Sequence, residues 1–125
     1  MILIDSDILI CILRNNTDYK NKFTSIAKDY NGQIFITPIQ YLEIMAGIKE
    51  KEKINTEIFL DSLGIINIDK ATGKLAGEFM RYFNKSHNIQ SADAIVAAAV
   101  KIHDLKLWTN NKKHFPMLEK EEFVK

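Results

Sequence analysis

The sequence predicts an α/β protein in which helices cover both faces of a mainly parallel sheet. Short apolar runs recur along the chain, and segments with helical periodicity separate them. One segment, residues 95–100, is apolar on every side, which is typical of a helix packed between other elements. With 125 residues the chain is long enough to bury a core without disulfides, and it has a single cysteine. We expect one domain over residues 1–125, a three-layer α/β/α sandwich around four or five strands.

The first half of the chain predicts two strands with helices between and after them. Asn31-Gly32 closes an amphipathic helix, and Pro38 marks the first turn of another one. The alternating lysines and glutamates of residues 49–53 are typical of a solvated stretch. The predicted elements are a strand over 1–4, helices over 8–13 and 18–30, a strand over 33–37 and a helix that begins at Pro38.

The second half continues the alternation of helices and strands. Ser91 precedes an alanine-rich segment, and we expect its side chain to be the N-cap of that helix. A stripe of four apolar side chains in an earlier helix fits either the core or a homodimer interface: Leu75, Phe79, Tyr82 and Phe83. The predicted elements are helices over 54–63 and 70–84, a strand over 65–68, a helix over 92–103, a strand over 107–109 and a fifth strand at 123–124.

Composition limits the classes of function. The chain is 46% hydrophobic and 26% charged, as in ordinary globular proteins, and its formal net charge is +1. Any nucleic-acid surface must therefore be local. No run approaches the roughly 18 apolar residues of a membrane span, and no basic stretch precedes the first apolar run, as it would in a signal peptide. We expect a cytoplasmic protein without a membrane anchor.

Three carboxylates are candidates for a shared site. Asp5 directly follows the first apolar strand, where an acidic residue has few structural reasons to be. Asp93 lies in the first turn of the alanine-rich helix, where it also fits a plain helix-start residue, as does Asp7. Glu43 follows the second strand, and its apolar neighbours lead us to expect a semi-buried side chain. Because sites in parallel sheets form beyond the carboxyl ends of strands, we expect these acids to converge.

Converging carboxylates repel one another, and a hard divalent cation relieves that repulsion. Mg²⁺ or Mn²⁺ prefers such oxygen ligands. The three histidines are scattered and do not form a zinc pattern: His87, His103 and His114. Acid-only metal sites are typical of phosphodiester chemistry, in which the metal activates water and stabilises the leaving oxygen. The sequence therefore favours a metal-dependent nuclease with Asp5, Glu43 and Asp93 at its centre.

Four segments resemble the motifs of PIN-domain nucleases, in order and from end to end of the chain. Residues 2–10 resemble the opening strand with its Asp-Ser turn, and residues 37–47 resemble the second motif with its glutamate. Residues 91–99 are similar to the third motif, an aspartate that opens an alanine-rich helix. Residues 107–115 are similar to the fourth, a strand followed by Thr-Asn-Asn and His-Phe. The resemblance implies a PIN-like fold and an RNA endonuclease that uses Mg²⁺ or Mn²⁺.

Within that family the chain looks like the VapC-type toxins of toxin–antitoxin pairs. This resemblance implies a small antitoxin as inhibitor and a homodimer. It implies that Asp5 and Asp93 hold the metal and that Glu43 holds metal or orients the attacking water. The resemblance also implies that three residues support the site by hydrogen bonds to carboxylates, water or phosphate: Ser6, Thr109 and Asn111. Asn111 stands where some members have an aspartate, and it brings an amide oxygen without the charge.

Two alternatives remain open from the sequence. Ile-Leu-Ile-Asp5-Ser6-Asp7 also fits a phosphatase of the haloacid dehalogenase type, in which Asp5 is a covalent nucleophile and Asp7 the general acid. The late acidic pair of that class is missing after Thr109, where only asparagines follow. The second alternative is a degenerate PIN-like module that binds RNA or protein without cutting.

Overall fold

A computed structural model describes the backbone of residues 1–125 and all side chains except that of residue 84. Helices and strands alternate through most of the chain. The strands are β1 (Ile2–Ile4), β2 (Ile34–Ile36), β3 (Gly64–Ile65) and β4 (Lys106–Trp108). The helices are α1 (Ser6–Leu13), α2 (Thr17–Asp29), α3 (Pro38–Gly47), α4 (Lys53–Asp61), α5 (Lys70–His87) and α6 (Ser91–His103). Short 3₁₀ turns cover Glu50–Glu52, Lys112–His114 and Lys120–Glu122.

The four strands form one parallel sheet in the order β3-β2-β1-β4. The chain builds the sheet outward from β1 to β3 on one side and then returns to add β4 on the other side of β1. The register places Ile4 opposite Trp108, so β1 and β4 end side by side. The gap between these strands is the switch point of the topology, the usual place for a site in an open parallel sheet.

Side chains alternate between the two faces of the sheet, which explains the two cores. Leu3 and Leu107 point to one face, where they pack with the apolar side of α6. Ile2, Ile4 and Trp108 point to the other face, where they pack with residues of α1 to α4. Both faces are therefore covered, and the predicted three-layer α/β/α sandwich is confirmed. Among the residues that the structure describes, no helix combines the length and apolarity that crossing a bilayer requires.

The predicted fifth strand is wrong. Phe123 makes a single bridge with Leu107, and the amide of Val124 donates to the carbonyl of Leu107 at 2.9 Å. The 3₁₀ turn over Lys120–Glu122 directly precedes this contact and leaves no extended residues before it. The third strand is also shorter than predicted, because β2 ends at Ile36 and offers β3 no partner beyond it.

Two helix features differ from the sequence predictions. Gln90, not Ser91, is the N-cap of α6, and its carbonyl accepts from the amide of Ala94 at 3.1 Å. Ser91 is therefore inside the first turn. In α5 the predicted apolar stripe is divided, because Leu75, Phe79 and Phe83 pack against the core whereas Tyr82 is 80% exposed.

Candidate active site

The carboxyl ends of β1 and β4 bring Asp5 and Thr109 together. The amide of Asp5 donates to the carbonyl of Trp108 at 3.0 Å, which extends the strand pairing by one residue. The Thr109 hydroxyl then donates to Asp5 Oδ2 at 2.8 Å, and the Ser6 amide donates to Asp5 Oδ1 at 2.9 Å. Asp5 is only 9% exposed and is the N-cap of α1. Its carboxylate is therefore fixed from both sides at the switch point.

Helix α3 brings Glu43 to the same edge of the sheet. Its start is fixed by a capping box, in which Thr37 accepts from the amide of Ile39 and Gln40 accepts from the amide of Thr37. The buried Gln40 amide also donates to the carbonyl of Ile4 at 3.0 Å, which joins α3 to the end of β1. One turn later, Glu43 Oε1 accepts from the Ser6 hydroxyl at 2.8 Å.

Asp7 is held by the loop that follows β4. The Asn110 amide and the Asn111 side-chain amide each donate to Asp7 Oδ2 at 2.9 Å. The Asn111 amide in turn donates to the Thr109 hydroxyl at 3.0 Å. Thr109 and Asn111 thus connect the carboxylates of Asp5 and Asp7 in one hydrogen-bonded chain.

Asp93 enters the site from the first turn of α6. It is half-buried, and its Oδ2 lies 3.9 Å from Nδ1 of the exposed His114. The 3₁₀ turn over Lys112–His114 carries this histidine to the edge of the site. His114 is therefore the nearest basic group to the Asp93 carboxylate at the mouth of the site.

Burial and mutual repulsion set the electrostatics of these acids. Burial raises the pKa of Asp5 from 3.8 to about 6, the Thr109 and Ser6 hydrogen bonds oppose that rise, and the charges of Asp7 and Asp93 add to it. Burial also raises the pKa of Asp93, against the attraction of His114, and the charges of Glu43 and Asp7 raise it further. The four carboxylates therefore lie close enough to act on one another, with excess negative charge at their centre.

Comparison with known families identifies the fold around this site. The model of the PIN domain family matches residues 2–120, which is nearly the whole chain. This chain belongs to the PIN-domain family. The family match removes the basis for the haloacid dehalogenase alternative, since the Asp-Ser-Asp segment now has its place in the first motif of a PIN domain.

Individual relatives of this PIN-domain chain include ribonucleases. It is 34% identical over 120 residues to Ribonuclease VapC10 of Mycobacterium tuberculosis, covering 95% of this chain and 89% of the relative. It is 31% identical over 99 residues to Ribonuclease VapC3 of Methanocaldococcus jannaschii, covering 78% of this chain and 95% of the relative.

Two solved structures also match this chain over nearly its whole length. A toxin–antitoxin complex from Klebsiella pneumoniae matches with a TM-score of 0.79 and 25% identity, covering 100% of this chain and 97% of the other. VapBC2 from Rickettsia felis, bound to a DNA fragment from its promoter, also matches with a TM-score of 0.79 and 25% identity. That match covers 99% of this chain and 96% of the other.

The PIN fold brings all six predicted site residues to one edge of the sheet. Five of them are linked by hydrogen bonds to a neighbour in the site: Asp5, Ser6, Glu43, Thr109 and Asn111. The expectation that Glu43 is semi-buried is wrong. Helix α3 turns its buried face, with Ile44, toward the sheet, so that Leu42, Glu43 and Ala46 face outward and are exposed.

Three residues of this site have no role in the predicted metal site: Asp7, His114 and Gln40. Asp7 fits a helix-start residue or the general acid of the phosphatase alternative, and His114 is one of three scattered histidines. Asp7 and His114 lie inside the first and fourth motifs, so motif membership was the signal that could have found them. Gln40 also lies inside the second motif, but its role could not be predicted, because its contact with the Ile4 carbonyl depends on how α3 meets β1.

The donor set of the site fits a hard divalent cation. The site offers carboxylate and amide oxygens, and burial, with a further contribution from neighbouring acids, raises the pKa values of Asp5 and Asp93. Among the described side chains, no three acids, histidines or cysteines converge closely enough to hold one ion together. Mg²⁺ accepts such a site, because it is commonly bound through one or two carboxylates and keeps several waters.

Proposed function

We propose that this chain is a metal-dependent endoribonuclease and the toxin of a toxin–antitoxin pair, with residues 1–125 acting as one PIN-like domain in the cytoplasm. The observation that carries the proposal is the carboxylate cluster at the β1–β4 switch point of a PIN domain. The relatives named as ribonucleases support RNA as the substrate.

Asp5 and Asp93 are the residues that would hold the cation, Mg²⁺ or Mn²⁺. Burial and the charges of neighbouring acids disfavour the ionised form of both carboxylates, and a cation bound between them would stabilise that form. When bound, such an ion supplies polarisation of the scissile phosphate and a lowered pKa for the attacking water. Thr109 holds the Asp5 carboxylate in place by its 2.8 Å hydrogen bond.

Glu43 is the residue placed to hold metal or orient the attacking water. Its side chain is exposed, so water and substrate reach it, and the Ser6 hydroxyl fixes one carboxylate oxygen at 2.8 Å. A carboxylate positioned in this way can accept the proton of the water as it attacks phosphorus. Asn111 acts on the cluster indirectly, through its hydrogen bond to Asp7.

RNA cleavage tests the proposed function directly. Incubated with a mixed pool of single-stranded RNA, the chain is expected to cut in the presence of Mg²⁺ or Mn²⁺ and to stop when EDTA removes the ion. Gel analysis of end-labelled RNA separates internal cuts from trimming at the ends. A folded chain that leaves this RNA intact with either metal would favour the non-cutting module instead.

The antitoxin partner is supported by the solved relatives. One chain of the toxin–antitoxin complex from Klebsiella pneumoniae and one chain of VapBC2 from Rickettsia felis match this chain almost end to end. We therefore expect a small reading frame for an antitoxin beside the gene of this chain, and its product to suppress RNA cleavage.

A homodimer is the second proposed assembly. The stripe on α5 supports it only in part, because Tyr82 is 80% exposed while Leu75, Phe79 and Phe83 pack against the core of the same chain. Light scattering at high concentration should give twice the monomer mass, and Tyr82→Lys should shift the distribution toward monomer. A wild-type chain that stays monomeric under these conditions would leave Leu75, Phe79 and Phe83 as core residues and Tyr82 as an exposed side chain outside any interface.

A further inference from the structure

A groove beside the carboxylate cluster has the opposite charge. Its volume is about 640 Å³, and its lining includes Lys22, Trp108, Thr109, Asn111, Lys112 and Lys113. We refer to it as the lysine groove. Thr109 and Asn111 belong to both features, since they also donate to Asp5 and Asp7. The lysine groove therefore adjoins the carboxylate cluster through these two shared residues.

Lys112 and Lys113 keep their charge available for an anion, whereas Lys22 Nζ donates to the main-chain oxygen of Lys125 at 2.8 Å. Among the side chains that the structure describes, Lys101 and Glu122 form the one lysine–carboxylate pair within 4.0 Å, and they lie outside the groove. Lys112 Nζ lies 5.4 Å from the centre of the Phe123 ring, and Lys22 Nζ lies 5.3 Å from that of Trp108. Aromatic faces attract an ammonium group without neutralising it.

We propose that the lysine groove binds the backbone phosphates of single-stranded RNA next to the bond that is cut, with Lys112 and Lys113 as the main contacts. The inference rests on the proposed endoribonuclease function. Both lysines directly follow Asn111 in the chain and are exposed. A chain of net charge +1 thus concentrates positive charge beside its acids, where a polyanion must be held against their repulsion.

The composition of the groove favours phosphates over bases. Trp108 is 3% exposed, so its ring is not available for a base to stack on. Lysine ammonium groups contact phosphates as point charges and carry no sequence information. We therefore expect the groove to contribute affinity that depends on salt and is indifferent to base sequence.

The test compares RNA binding by Lys112→Ala/Lys113→Ala with that of the parent chain. Fluorescence anisotropy with a labelled single-stranded RNA of mixed sequence is measured in EDTA, where the proposed nuclease does not cut. The double variant should bind about tenfold or more weakly at low salt, and the salt slope of log K should fall by about 1.4, or about 0.7 for each lost phosphate contact. With metal present, KM should rise while kcat changes little.

The control pair is Lys70→Ala/Lys74→Ala, which removes the same charge from exposed positions on α5. The control lysines lie at the start of α5, far from the site. Asp69, which directly precedes Lys70, is close to His103 at the end of α6. His103 is ten residues beyond Asp93 on α6, a rise of about 15 Å. The control pair should therefore keep nearly all of the RNA affinity of the parent.

Two results would overturn the inference. One is equal loss of affinity in both pairs, which would indicate a general charge effect. The other is an unchanged RNA affinity in Lys112→Ala/Lys113→Ala together with loss of antitoxin binding, which would assign the groove to an acidic protein segment. Failure of the proposed endoribonuclease function would give a different result. A chain that does not cut RNA in the presence of metal can still be tested for RNA binding in EDTA.

Discussion

Replacing Asp93 by asparagine is expected to lower RNA cleavage by at least about 100-fold while the fold is retained. The substitution preserves volume and removes one negative charge from the cluster. Metal-assisted water activation supplies several kcal/mol of barrier lowering, and each 1.36 kcal/mol changes a rate about tenfold. Loss of the charge at the start of α6 costs about 0.3–1 kcal/mol of stability, which the relief of repulsion by Glu43 and Asp7 opposes.

Asp104→Asn is the matched control for this variant. Asp104 is the C-cap of α6, at the end opposite Asp93, and it is exposed with φ of 51°, a conformation that asparagine adopts readily. Cleavage should stay near the wild-type rate in this variant, although the change in charge is the same. Thermal melting without metal checks that both variants are folded. A folded Asp93→Asn chain that cuts RNA at the wild-type rate would leave Asp93 as a helix-start residue only.

The sheet and its layers could be predicted because their signals are local. Strands β1, β2 and β4 appear in the sequence as short apolar runs, and α6 as a segment apolar on all sides. Pro38 indicated the start of α3, because proline at the first helical position is favoured for reasons internal to the helix. The expectation of one shared edge for the acids followed from the rule that sites form beyond the carboxyl ends of parallel strands, but that rule does not give the order of the strands.

Features that depend on distant partners could not be predicted in the same way. The exposure of Glu43 depends on which face of α3 meets the sheet, and the apolar neighbours Leu42 and Ala46 gave the wrong answer because they are exposed too. The role of Asp7 in the site depends on a hydrogen bond from the side chain of Asn111, which is 104 residues away in the sequence. The length of β3 depends on where its partner β2 ends.

The Asp5→Asn variant is expected to be more stable than the wild type at neutral pH when no metal is present. In the folded chain burial holds the pKa of Asp5 at about 6, above its ordinary value of 3.8. The folded state therefore binds this proton more tightly than the unfolded state, and the contribution of Asp5 to the stability of the wild type falls as pH rises from about 4 to about 6. Above that range the loss levels off at about 3 kcal/mol, from about 1.36 kcal/mol for each pH unit of the rise in pKa.

Asparagine removes this penalty and keeps the main structural role of Asp5. It serves as an N-cap about as well as aspartate does, so the contact with the Ser6 amide is retained. In EDTA the two chains should melt at similar temperatures near pH 4, and the variant should melt several degrees higher at pH 7. The exposed Asp29→Asn, on α2, is the control and should leave the pH profile within about 0.5 kcal/mol of the wild type.

Bound metal should stabilise the folded chain, whereas the buried charge of Asp5 destabilises it when no metal is present. A cation that binds only the folded state stabilises it by about 2.7 kcal/mol at 100 times its Kd, so Mg²⁺ or Mn²⁺ should raise the melting temperature of the wild type at pH 7. The Asp5→Asn variant should show a much smaller rise, because it lacks one of the two carboxylates proposed to hold the ion. Melting curves at pH 4 to 7, with metal and with EDTA, measure both effects. If the difference in stability between the wild type and Asp5→Asn in EDTA stays constant from pH 4 to 7, the pKa of Asp5 is not raised by burial and by the charges of Asp7 and Asp93.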